Sequence, residues 1–250
     1  MASFERKKKI IDILQRRKVI STKELEALTF CSTSTLRRDL IELEKEGIII
    51  RSHGEVRIVA ANNIEYAYSA RQTLEINAKQ KIATLAADFF THNQSIFMDS
   101  STTAACLIPY FEHLNALRVI TNGIEAAIKL NSLDNVTLFM AGGYIANGTN
   151  SVLGDFSTSF LDNFHADIAV FSCRGLDRYG AYEANHEQAI IKQHMIRNSD
   201  KVILLADHTK FNTSHYFKLM NYSAIDHLIT DKSPSCAFLD IVGEQCEILW

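Results

Sequence analysis

The chain has 250 residues, is 47% hydrophobic and carries a formal charge of −3, so it can bury a sizeable core and has room for a small domain beside a larger one. Its basic N-terminus is followed by no apolar core of a secretory signal, and no apolar stretch approaches the roughly 18 residues of a membrane span, so a cytoplasmic protein with no membrane partner is expected. Five scattered cysteines, odd in number and never spaced C-x-x-C, and nine histidines without an H-E-x-x-H pattern point away from disulfides, a structural metal or any other cofactor.

Charge is unevenly spread. Residues 1–57 hold 13 of the 26 basic and 9 of the 29 acidic residues, a net +4, and the remainder carries −7. Only the first segment suits a polyanion.

In that segment Phe4, Ile10, Ile11 and Leu14 recur at helical spacing, with Lys7, Lys8 and Lys9 on other faces, which predicts a first amphipathic helix. Ser21 and Glu24 have the spacing of a capping box and open a short second helix. The trio Ser32-Thr33-Ser34 caps a third, TLRRDLIELEKEG, with an apolar stripe of Leu36, Leu40 and Leu43 and Gly47 as its C-terminal stop. Ile48–Arg51 and Val56–Val59 flank Ser52-His53-Gly54-Glu55 as a strand, turn and strand. Three helices and a hairpin in under sixty residues make a winged helix-turn-helix over 1–59.

A recognition helix must be polar and cationic where it enters the major groove and apolar where it packs. Ser32, Thr33, Ser34, Thr35, Arg37 and Arg38 supply the first face, and Arg51 and His53 in the wing are placed to reach phosphate. The bland alternative pairs Arg37 and Arg38 with Asp39, Glu42 or Glu44 on a solvated helix face; the helix, helix, helix, wing order favours DNA. The run CSTSTLRRDLIELEKEGIIIRSHG resembles the signature of the DeoR family of bacterial sugar-operon regulators, many positions matching over 24 residues. Glu55 stands where that family usually has a second glycine.

Residues 60–73 lose periodicity and are read as a linker. Over 74–250, SIFMD, LRVITN, VTLFMAGG, DIAVFSCRG, KVILLAD, AIDHLITD and CEILW alternate with helical stretches, which predicts an α/β domain with a largely parallel sheet covered on both faces. Ligands in such sheets bind outside the carboxyl ends of the strands. Polar and glycine residues cluster there: Asp99-Ser100-Ser101-Thr102-Thr103, Thr121-Asn122-Gly123, Gly142-Gly143, Arg174-Gly175 and Asp207-His208-Thr209-Lys210. Ser101 to Thr103 lead into the helix TAACLIPYF, where hydroxyls and amides suit an anion, and Lys210 supplies a countercharge.

The resemblance to the DeoR family extends through these blocks. It implies a fold related to ribose-phosphate isomerase and a phosphorylated sugar as effector, with Asp99, Thr102, Thr103, Thr121, Asn122, Gly142, Gly143, Asp207 and Lys210 as its site. Ser101 replaces the family's usual glycine. The expected protein is thus a regulator, by family a repressor, whose homo-oligomer binds operator DNA and responds to a phosphosugar. The rival is a sugar-phosphate isomerase or deaminase working through Asp99, Asp207, Glu183 and His186; a nucleotide-binding module built on Gly142 to Gly148 ranks lower, because no G-x-G-x-x-G or G-x-x-x-x-G-K-[ST] is present. Glu183, His186 and Glu187 read more simply as the acidic opening of a helix. No enzyme is expected.

Overall fold

A computed structural model describes residues 3–45, 48–52, 54–58 and 68–250. Gly47, His53 and most of the stretch read as linker lie outside the described residues. The chain divides into two units, Met1–Ala70 and Arg71–Trp250.

In the first unit α1 (Ser3–Arg17), β1 (Val19–Ser21), α2 (Thr22–Thr29) and α3 (Thr33–Lys45) precede a hairpin of β2 (Ile49–Ser52) and β3 (Glu55–Ile58). Ile10 and Leu14 of α1 and the expected stripe Leu36, Leu40 and Leu43 of α3 fill its core. Ser21 Oγ accepts the Glu24 amide at 3.2 Å, while the Glu24 carboxylate turns to Arg17, so half of the capping box forms. Short β1 was not predicted. Its three residues add to β3 in the order β1-β3-β2. The left-handed residue described in the wing turn is Gly54 (φ 83°); Glu55 already lies in extended β3, so its side chain meets no backbone restriction.

Helix α4 (Tyr68–Thr73) occupies the end of the stretch read as linker and spans the division between units. The second unit continues with α5 (Ile76–Ala87), β4 (Ser95–Met98), a 3-10 helix (Ala104–His113), β5 (Leu117–Thr121), α6 (Ile124–Leu130), β6 (Val136–Met140), β7 (Tyr144–Ala146), β8 (Ser151–Leu153), α7 (Asp155–Leu161) and β9 (Ala166–Ser172). It ends with β10 (Gly175–Asp177), β11 (Gly180–Glu183), α8 (His186–Arg197), β12 (Ser199–Leu205), β13 (Phe217–Met220), β14 (His227–Ile229), α9 (Cys236–Val242) and β15 (Glu247–Leu249). The seven strands expected from sequence form one parallel sheet in the order β15-β14-β12-β9-β4-β5-β6. Successive side chains point to opposite faces: Phe97, Ile120, Ala169, Phe171 and Leu204 pack on one side with α7, α8 and α9, and Ile96, Met98, Val119, Val170 and Leu205 on the other with α5, α6 and the 3-10 helix.

The sheet grows outward in both directions from the pair β4 and β9, a topological switch point whose carboxyl end is the usual place for a ligand. Register brings those ends level, with Met98 opposite both Thr121 and Val170, and Ser172 opposite Leu205. One detail corrects the sequence reading. The helix after Thr103 is 3-10, and Pro109 inside it removes an amide that an α-helix needs. The glycines at 142–148 belong to the β7–β8 hairpin and not to a strand-to-helix phosphate loop. Gly143 has φ 149°, and a Cβ there would lie 2.3 Å from the Leu153 carbonyl oxygen. Gly143→Ala is expected to cost about 3 kcal/mol through strain and overpacking, read as a lower urea midpoint for the second unit.

Candidate functional site

Three carboxylates in α3 could have neutralised Arg37 and Arg38, and each is held by a different cation. The Asp39 carboxylate, buried under α1, takes the Arg6 guanidinium through both oxygens; Glu42 pairs with Lys7; Glu44 receives Arg51 Nε at 2.8 Å, Nη2 at 2.6 Å and the Arg51 amide at 3.1 Å. Arg37 and Arg38 stay exposed. Arg51 therefore ties the wing to the end of α3. Ser32 Oγ accepts the Thr35 amide at 3.4 Å and bonds the Ser34 and Thr35 hydroxyls at 3.1 and 2.8 Å, and the Thr33 hydroxyl donates to Glu26 at 2.6 Å. The polar start of α3 is thus partly organised by its own hydroxyls.

At the carboxyl edge of the parallel sheet the organising residue is one that sequence reasoning missed. Lys192 of α8 is buried, and its Nζ donates to the Ser172 carbonyl at 2.6 Å, to Glu183, and to Asp99 Oδ2 at 3.1 Å. Burial alone would lower its pKa, but the charges of Glu183 and Asp99 outweigh this and raise it, so the ammonium persists. Asp99 Oδ1 accepts the Ser101 amide at 3.1 Å and hydroxyl at 2.6 Å, and Ser101 Oγ accepts the Ala104 amide at 3.1 Å. The Cβ that departs from the family pattern at Ser101 therefore carries a hydroxyl that caps the 3-10 helix. Glu183 ends β11 and is Lys192's counterion, which overturns its reading as part of a helix opening. Asn185 caps α8 instead, accepting the amides of Glu187 and Gln188; Glu187 accepts from Tyr144, and His186 packs edge-on against Phe217.

A second buried set joins β4 to the β8 strand. The Ser151 hydroxyl donates to Ser100 Oγ at 2.6 Å and accepts Gln188 Nε2 at 2.7 Å. A Cβ on Gly123 would sit 2.9 Å from Ser100 Cα, so these loops touch through backbone. Thr121 Oγ1 accepts the Gly123 amide at 3.0 Å. Asn122 is fully buried; its Nδ2 donates to the Val152 carbonyl at 3.2 Å, whereas Oδ1 has no partner among the described residues. Buried acceptors are rarely left so. Gly142 gives its carbonyl to Ser157 Oγ at 2.6 Å.

The remaining strand-end residues gather positive charge. Asp207, after β12, accepts the Thr209 amide at 3.0 Å and its hydroxyl; burial pushes its pKa up, but Lys210, Thr209 and Lys79 overcome this and hold it below the usual range. Burial and Arg174 lower Lys210, against the pull of Asp207. Lys79 of α5, also absent from the expected site, is 4% exposed, and burial together with Lys210 brings it down to about 8. Lys210 and Lys79 thus both act on Asp207. The structure joins Asp99 to Ser101 and Ser100 to Ser151, bonds Thr121 and Asn122 to backbone, brings Arg174, Asp207 and Lys210 into this electrostatic cluster, and leaves Thr102 and Thr103 as buried turn residues. One signal in the sequence marks both missed lysines: each interrupts an apolar helical stripe, Lys79 with Ile82, Ala83 and Ala86, Lys192 with Ala189, Ile191 and Met195.

Lys192→Met would leave two carboxylates buried without their cation, at an expected cost of roughly 3 to 5 kcal/mol. Because Lys192's folded pKa lies above its ordinary 10.5, its contribution is complete below that value and fades only as pH rises beyond it. The deficit in chemical unfolding should therefore be constant from about pH 6 to about pH 9.

Residues 6–61 match the model of the DeoR-like helix-turn-helix domain, and residues 74–232 that of the DeoR C terminal sensor domain. The chain is 32% identical over 245 residues to the HTH-type transcriptional repressor GlcR of Bacillus subtilis, covering 97% of this chain and 93% of that one. It is 25% identical to the glycerol-3-phosphate regulon repressor of Escherichia coli, covering 98% and 97%. Among solved structures, ribose 5-phosphate isomerase A of Methanocaldococcus jannaschii is similar at 16% identity and a TM-score of 0.42, over 55% of each chain. The chain belongs to the DeoR family, with a DeoR-like helix-turn-helix domain followed by a DeoR C-terminal sensor domain.

Proposed function

We propose that this protein is a repressor of a carbohydrate operon whose grip on operator DNA is set by a phosphorylated sugar bound at the carboxyl edge of the sensor sheet. The observation that carries the effector half is the charge there: the buried ammonium groups of Lys79 and Lys210 both lie beside Asp207, and burial lowers the pKa of each, so an incoming phosphate would favour their charged forms. Asn122 Oδ1, lacking a donor among the described residues, fits a sugar hydroxyl, and the backbone about Asp99 to Thr103, Thr121 and Gly142-Gly143 frames the same edge. Relatives named as transcriptional repressors, one of a glycerol-3-phosphate regulon, support the class of ligand. On the DNA side, Arg37 and Arg38 face the polyanion, Ser32, Thr33, Ser34 and Thr35 line the start of the recognition helix, and Arg51 acts with Glu44 to hold the wing. A homo-oligomer would present two such helices to a two-part operator.

Sensing rather than catalysis is favoured by the state of the carboxylates. A general base must be able to take a proton, whereas Asp99 and Glu183 are both committed to Lys192 and Asp207 is held ionised by its neighbours. His186 packs on Phe217. Turnover of a phosphosugar at enzyme-like rates would overturn this reading.

Replacing Arg37 and Arg38 together by alanine should weaken operator binding and reduce the slope of log affinity against log salt by about 2, measured by mobility-shift titration; an unchanged slope would remove them from the interface. Lys210→Ala should keep operator affinity in the absence of effector and weaken the response to a phosphosugar by about tenfold or more. A normal dose response in that variant would show that Lys210 does not meet the effector.

A further inference from the structure

Strand β6 forms one side edge of the parallel sheet, and among the described residues no strand pairs with its outer side. Sheet edges are ordinarily blunted by charge, proline, a bulge or short length, because their unpaired amides and carbonyls invite another strand. The opposite edge follows that rule, since β15 has three residues and opens on Glu247. β6 uses none of these devices: its five residues, VTLFM, are uncharged and keep an unbroken register with β5. The Leu117 amide donates to the Asn135 carbonyl at 3.1 Å and the Ala141 amide to the Thr121 carbonyl at 2.9 Å, so the odd-numbered residues of this strand bond to β5. Backbone groups alternate between the two sides of a strand, and those of Val136, Leu138 and Met140 therefore point outward. The Val136 amide closes a turn on the Leu133 carbonyl at 3.2 Å; the amides of Leu138 and Met140 line the open side.

We propose that β6 is the interface between two copies of this chain, joined by antiparallel pairing of β6 with β6 about a two-fold axis at Leu138, so that the two parallel sheets run on into one another. This pairing rests on the homo-oligomer of the proposed function and gives it a place in the fold.

A two-fold interface must be self-complementary, and this register is. Leu138 stands opposite its own copy and exchanges both backbone bonds with it, while each Met140 amide reaches the Val136 carbonyl of the other copy. The side chains that meet are apolar. Val136 and Leu138 are half-buried on the face that α6 covers, and Met140, on the same face by alternation, is 39% exposed. On the other face Thr137 comes opposite Phe139, whose ring lies 5.1 Å from that of Phe164 and is only partly covered. The helices fit as well. α6 packs beside β6, and a strand spacing of about 4.8 Å sets the two copies of α6 about 10 Å apart and antiparallel, which is the distance at which helices pack. Helix α6 presents Ile128, 63% exposed, with Glu125 in its first turn and Lys129 in its last. Antiparallel copies bring each Glu125 level with the other's Lys129, so that opposite charges face each other across the axis.

The test uses the full chain. Sedimentation equilibrium gives its state of association, and residue-resolved hydrogen exchange reads the edge. The unmodified protein should associate, and in the associated form the outward amides of Leu138 and Met140 should exchange as slowly as those of Thr137 and Phe139, which bond to β5. Met140→Lys sets a charge on the edge at a site that is exposed in the single chain, and should weaken association by at least about tenfold; Met140→Leu should leave it unchanged. If the unmodified protein stays monomeric up to the highest soluble concentration, the homo-oligomer reading falls and this interface with it. If it associates while Leu138 and Met140 exchange at least about tenfold faster than Thr137 and Phe139, or if Met140→Lys associates as tightly as the unmodified protein, β6 is not the interface and the oligomer is built elsewhere. The exchange comparison needs no variant, so the outcome does not depend on Met140→Lys folding.

Discussion

A lysine taken out of water costs several kcal/mol unless carboxylates come with it, and at Lys192 they come from two different strands. Asp99 follows β4 and Glu183 ends β11, while the Ser172 carbonyl that completes the set ends β9. One ammonium therefore fastens α8 to the point where the parallel sheet changes direction. Asp99 is fixed by it, and Asp99 in turn fixes the Ser101 turn and the start of the 3-10 helix. Much of the polar geometry at this edge follows from satisfying that one charge, because a partly satisfied buried network costs more than none.

The same burial with less compensation describes Lys79 and Lys210. They share Asp207, and both pKa values lie below the ordinary lysine range. The two lysines of the helices thus divide the labour: Lys192 carries a complete set of partners and serves structure, and Lys79 carries an incomplete one. Binding sites are commonly places where stability is given up for a ligand that restores it.

Charge is sorted in the N-terminal domain by the same rule. Asp39, Glu42 and Glu44 follow along α3 the arginines they could have neutralised, but the folded unit brings Arg6, Lys7 and Arg51 to them from α1 and the wing. Arg37 and Arg38 are consequently left exposed on the third helix. The ion pairs that remove the acidic residues also join α1 and β2 to α3.

The seven main strands, the helix stripes and the two-part organisation were legible in the residues, because short continuous β-branched or aromatic runs and leucines at helical spacing are local patterns that burial enforces. The strand-end clusters were legible for the same reason: in a parallel sheet, the position after each strand is known once the strand is. What tertiary structure alone decided is which charges meet. Asp99 and Lys192 are separated by more than ninety positions, and neither residue's spacing points to the other. A lysine inside an apolar stripe signals that a partner must exist, but only the packing of α8 on β4 and β11, and of α5 beside the end of β12, decides whether that partner set is complete, as at Lys192, or open, as at Lys79. The strands β1, β7, β8 and β10 escaped for a related reason. Three residues are too few to show a period, and such strands exist because neighbours distant in sequence supply their hydrogen bonds.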